Sequence, residues 1–130
     1  MSYFLGRVPV VRLLVRNPFS GSSYPGKGFA PAVVDTGYDG FLAVPEDVFR
    51  HLGLDASPNS ERPVFTADGR LVTLRSAPSA VEVQDQNGEF EGMVETGTGV
   101  EEILAGARFL SSFRVTLNYC AGVLKMQPCG

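Results

Sequence analysis

The sequence predicts an all-β domain, and three observations carry that prediction. Fifteen Gly and nine Pro are spread along 130 residues and cut the chain into short apolar runs rich in β-branched side chains. Three of these cuts, Asp68-Gly69, Asn87-Gly88 and Cys120-Ala121-Gly122, lie between two such runs and carry hairpin-turn residues. Only two stretches have a helical pattern, and both are short. Short strands without regularly alternating helices describe a barrel or sandwich rather than a layered α/β domain.

The elements follow in order. Residues 8–15, Val-Pro-Val-Val-Arg-Leu-Leu-Val, form a strand closed by Asn17-Pro18. A Ser/Gly/Pro loop covers residues 19–28, and residues 29–34 form a strand that runs straight into Asp35. Pro45 and two acids open a helix over residues 45–52, Arg50 and His51 end it, and Gly53 stops it. Val48, Phe49 and Leu52 share its inner face. Residues 64–66 and 71–74 pair around Ala67-Asp68-Gly69-Arg70, where Asp-Gly predicts a tight two-residue connection. Residues 80–83 pair with 90–94, and residues 115–119 with 123–126. Glu95-Thr96-Gly97 reads as part of a flexible loop. A second helix is expected over residues 107–113, apolar on Phe109, Leu110 and Phe113.

Composition narrows the function. A chain of this length buries roughly two-thirds of its unfolded surface, so it forms one domain with a core and needs no staples. Net charge is −3, with 11 Lys and Arg against 14 Asp and Glu, which does not suit a nucleic-acid binder. No apolar run approaches the roughly 20 residues of a membrane helix, and no signal-peptide pattern follows Met1. A cytoplasmic protein with reduced thiols at Cys120 and Cys129 is the expectation, Cys120 packed and Cys129 in the tail. One His and no Cys-x-x-Cys pair imply no metal site. His51 reads as an exposed helix-end residue, and Glu101-Glu102 as a solvated helix start.

The candidate chemistry is at Val33-Val34-Asp35-Thr36-Gly37. A buried strand fixes the carboxylate at its end, Thr36 offers a hydroxyl and an amide, and Gly37 allows a turn and a close ligand. Taken alone, the tripeptide also serves as an Asx turn after a strand. Its surroundings extend the pattern. Residues 35–45 read Asp-Thr-Gly-Tyr-Asp-Gly-Phe-Leu-Ala-Val-Pro, a hairpin follows at 67–70, Ile103-Leu104-Ala105-Gly106 precedes a short helix, and Val115-Thr116-Leu117-Asn118-Tyr119 comes near the end. In this order and spacing they resemble the retropepsin-like aspartic proteases, particularly the small prokaryotic single-lobe members, over a core of about residues 8–126.

The resemblance implies a closed-barrel-like retropepsin fold with one or two short helices. It implies an endopeptidase in which Asp35 and the Asp35 of a second copy share one proton, activate water and polarise the scissile carbonyl. One Asp-Thr-Gly per chain then requires a symmetric homodimer. Thr36, Gly37 and Gly106 would support the active-site loop. Gly37 and Asp39, with the hairpin tip Ala67, Asp68 and Gly69 as a flap, would hold a peptide or protein substrate. No cofactor is implied. Some residues depart from the family pattern: Tyr38 replaces a small residue, the tip carries a charged Asp68-Arg70 rim, and Arg108 stands one place beyond the usual arginine. Arg108 is expected to reach Asp39. The alternative from another class is a retropepsin-like module that binds peptides or dimerises without cleaving.

Overall fold

A computed structural model describes residues 2–129. Eleven strands are joined by two short helices and one 310 turn. They are β1 (Ser2–Leu5), β2 (Val8–Arg16), β3 (Ser23–Tyr24), β4 (Ala30–Val34), β5 (Leu42–Ala43), α1 (Glu46–His51), the 310 turn Leu54–Ala56, β6 (Ser60–Phe65), β7 (Leu71–Val83), β8 (Glu89–Thr96), β9 (Leu104–Ala105), α2 (Ala107–Leu110), β10 (Phe113–Asn118) and β11 (Val123–Pro128). The class is all-β, as the sequence predicts.

Nine strands form one sheet, in which β2 pairs with β7 as well as with β4. The path β2-β4-β9-β5-β8-β7 therefore returns to β2. Alternation along β2 shows what this path encloses: Val11, Leu13 and Val15 are fully buried, while Arg12, Leu14 and Arg16 are half-exposed. That period of two is what a strand with one face on a core requires. Phe49, Leu52, Leu54 and Phe109 complete the core from the helical segments.

The thirteen residues of β7 change partner along their length. Residues 71–76 pair with β6, residues 75–82 with β8, and residues 80–83 with β2. Its first half thus belongs to an arm, β6–β7, and its second half to the core. The arm's turn is a correction to the two-residue connection. Gly69 N donates to Thr66 O at 2.9 Å and Thr66 N to Arg70 O at 2.8 Å, so three residues, 67–69, span the gap. Gly69 takes φ +85°, which lets a type I turn end in a bulge and match the strand twist.

Two other expectations change. The second helix stops at Leu110, and Phe113 already pairs with Pro128 in the separate two-stranded sheet β10–β11. Glu95-Thr96-Gly97 is no flexible loop: Glu95 and Thr96 end β8, and both are buried.

Candidate active site

Residues 35–41 connect β4 to β5, two strands that are not neighbours. β9 lies between them, parallel to β4 through Val33↔Leu104 and antiparallel to β5 through Leu42↔Ala105. The loop must therefore arch over the end of β9, where Gly106 emerges. A Cβ at Gly106 would lie 2.6 Å from Tyr38 Cδ2 and 2.9 Å from Tyr38 O, and closer still to Gly40 O. Only glycine fits there. The segment leaving Gly106 ties the loop down: Gly106 N donates to Phe41 O (2.9 Å), Ala107 N to Tyr38 O (2.8 Å) and Arg108 N to Gly40 O (3.1 Å). From the other side, Asp35 N donates to Ala105 O at 2.9 Å.

Asp35 is half-buried at the end of β4. Its Oδ1 accepts the Gly37 amide at 3.0 Å, which fixes the carboxylate relative to its own turn. Thr36 and Gly37 are exposed. Thr36 borders a shallow apolar groove of about 340 Å³ shared with Leu110, Val115 and Leu117. Gly106 is thus brought against the Asp35 loop.

Asp39 is exposed, and its partner is not Arg108. Arg62, delivered by β6, places Nη2 2.9 Å from Asp39 Oδ1, while Arg108 contributes only a weaker attraction from further away. Ala107, not an arginine, occupies the place directly after Gly106, and Arg108, though exposed, borders the same cavity as Asp39. The Arg62 hydrogen bond holds the Asp39 carboxyl below the ordinary aspartate value of 3.8.

Arg62 is itself anchored on Glu95, whose side chain is 5% exposed. Nε donates to Oε2 at 2.6 Å and Nη2 to Oε1 at 2.9 Å, a bidentate pair that satisfies a carboxylate otherwise costly to bury. The Tyr38 hydroxyl also donates to Glu95 Oε1 and reaches Leu42 O at 3.3 Å. Burial, then the hydrogen bond to Glu95, pushes the Tyr38 phenol far above its usual range. Glu95, through its hydrogen bond, does the same for the Arg62 guanidinium. The bulk of Tyr38 is accommodated by two glycines, since a Cβ at Gly40 would also strike its ring. Neither Arg62 nor Glu95 was singled out as a site residue from the sequence. One signal was available: Glu95-Thr96-Gly97 is a near-copy of Asp35-Thr36-Gly37.

Ala67, Asp68 and Gly69 stand apart from this cluster, exposed at the tip of the arm. Asp68 accepts hydrogen bonds from the Thr66 hydroxyl and from Arg70 Nε, the latter at 3.1 Å, so the charged rim folds onto itself. His51 is exposed and meets Tyr24 edge-on at 5.8 Å. Cys120 and Cys129 are free and both exposed; Cys120 sits in the β10–β11 turn, where no core is within reach to pack it. Glu101 and Glu102 are exposed but precede β9, not a helix. Among the described residues, no three His, Cys, Asp or Glu side chains gather as metal ligands. Nor is any helix of these residues long and apolar enough to cross a membrane.

No protein-family profile matches the chain. A protein of Archaeoglobus fulgidus, described as an uncharacterized protein, is 32% identical over 126 residues, which covers 97% of this chain and 98% of that one. Among solved structures, the EIAV protease complexed with the inhibitor HBY-793 superimposes with a TM-score of 0.60 over 85% of this chain and 92% of that chain, at 13% identity. The chain therefore belongs to one family with the Archaeoglobus fulgidus protein, and its fold is that of a retroviral protease.

Proposed function

We propose that the protein is an aspartic endopeptidase that works as a homodimer, with Asp35 and its symmetry-related copy forming the catalytic dyad. The observation that carries this reading is the bracing of the Asp35 loop. Its carboxylate is fixed by Gly37, its backbone by β9, and its far side by the segment after Gly106. Preorganisation of this kind is what a catalytic carboxylate requires and an ordinary surface turn does not.

Two carboxylates about 3 Å apart cannot both ionise, so they share a proton. The ionised one takes a proton from water as the oxygen attacks the peptide carbonyl, and the protonated one donates to the carbonyl oxygen. Collapse of the tetrahedral intermediate passes a proton to the leaving amine and returns the dyad to its starting charge. Each chain supplies one carboxylate, so the monomer is inert.

The surface beside the loop supports the homodimer. Among the described residues β10 pairs only with β11, which leaves its outer edge open. The apolar groove bordered by Thr36 runs along the side chains of this same strand. A second copy seated there would bring two Thr36 residues together and cover an edge that is otherwise a liability. Under this reading Gly37 and Asp39 hold the peptide backbone, and the tip residues Ala67, Asp68 and Gly69 close over it as a flap.

The test is cleavage of a peptide library at mildly acid pH by the wild-type chain and by Asp35→Asn. Cleavage by the first alone is expected. Peptide capture without cleavage by either would favour the alternative, a non-catalytic binding module. The self-contained Asp68–Arg70 rim at the tip is the feature that favours that alternative.

A further inference from the structure

An exposed aspartate samples several rotamers unless something holds it, and the Asp39 side chain is 79% exposed. The group that holds it comes from the arm. Arg62 reaches Asp39 from β6, and Arg62 in turn cannot wander, because Glu95 grips it bidentately from β8. Tyr38, next to Asp39 in the chain, closes on the same Glu95 oxygen. Arg108 borders the same cavity and attracts Asp39 only weakly, so the direct contact that holds the Asp39 carboxylate comes from Arg62. Asp39 Oδ2 has no partner on another residue among those described, and Asp39, Gly40 and Arg62 all border a cavity of about 520 Å³. The carboxylate is thus held by one oxygen, with the other able to accept an N–H from a ligand.

We propose that Arg62 is the positioning residue for Asp39, so that the loop's grip on a peptide backbone is set by a side chain of the arm. This rests on the peptidase reading, which gives Asp39 to the substrate. Arg62 takes the place that Arg108 was expected to fill. Because it belongs to β6, placement of the arm and grip of the loop are linked through one guanidinium, with buried Glu95 as the fixed post.

The experiment measures calorimetric binding of an uncleavable statine-centred peptide, at a temperature where circular dichroism shows every variant folded. Arg62→Met and Asp39→Asn should each weaken binding about tenfold, and the double variant should bind no worse than either alone. Arg62→Met should also lower Tm, because it strands Glu95; adding Glu95→Gln removes that buried charge and should restore Tm without restoring binding. Wild-type affinity in Arg62→Met/Glu95→Gln, or additive losses in Arg62→Met/Asp39→Asn, would overturn the positioning role while leaving the peptidase reading intact. A wild-type chain that fails to bind the peptide would overturn both.

Discussion

Gly106 has loop backbone on one side and an aromatic ring on the other, at distances no Cβ tolerates. Gly106→Ala should therefore cost about 1–3 kcal/mol, the range for overpacking a close-packed site. Urea denaturation would measure it, and an unchanged midpoint would mean the loop is looser than its five bracing hydrogen-bonded carbonyl and carboxylate contacts imply. Asp39 offers a different test, through pH. Its folded carboxyl binds a proton less readily than the unfolded one because Arg62 holds the charged form. The pair thus stabilises the fold above the ordinary aspartate value, and that contribution disappears as pH falls through the lower folded value. Solvent screening at so exposed a site keeps it below about 1 kcal/mol. Asp39→Asn should be slightly less stable than wild type at neutral pH, and the difference should vanish once the pH has fallen below the lowered folded value. A difference that grows in acid would contradict the pairing. At the mildly acid pH suited to a proton-sharing dyad, Asp39 remains ionised and in place.

At the scale of elements, the arm is pinned on both strands at one level. Arg62 on β6 binds Glu95 and Asp39, while Arg75 on β7 lies 2.6 Å from Asp55 and sits over the Phe49 ring at 5.2 Å. Their cross-strand partners, Leu74 and Glu61, are adjacent in the register. Outward of this level Phe65 and Leu71 are largely exposed, and little beyond the paired strand holds the hairpin. Amide exchange should be fast over residues 64–73 and slow over 77–83, where β7 is paired inside the sheet; equal protection would show that the arm does not move separately. The three hairpins were legible because each is local, with the turn residues and both runs adjacent in sequence. β5 and β9 were not. Each is two residues long, with no periodicity to read, and Leu104 finds its partner Val33 far back in the chain. Residues 104–106 were noticed as a motif, yet only the fold shows them wedged between the strands that flank Asp35. Glu95 was misread for a similar reason: the Gly-Thr-Gly that follows it suggested a loop, and its partner Arg62 lies on another strand. The expected link from Arg108 to Asp39 is taken by Arg62: Arg108 borders the same cavity and attracts Asp39 only weakly, while Arg62 makes the direct contact from β6.

For the whole molecule, everything braced around Asp35 serves a single carboxylate per chain. Under the proposed dyad, the open edge of β10 and the groove bordered by Thr36 are the surface on which a second chain would complete the site. Mixing wild-type and Asp35→Asn chains tests this proposal most directly, because the substitution keeps the size of the side chain and removes only its ionisable carboxylate. With free exchange, a ninefold excess of Asp35→Asn chains should leave about a tenth of the intact chains in intact pairs, and peptide cleavage should fall to about that level. Dilution through the dimer dissociation constant should abolish activity faster than in proportion to concentration. Cleavage that survives the ninefold excess undiminished would contradict a catalytic site shared between two copies of Asp35.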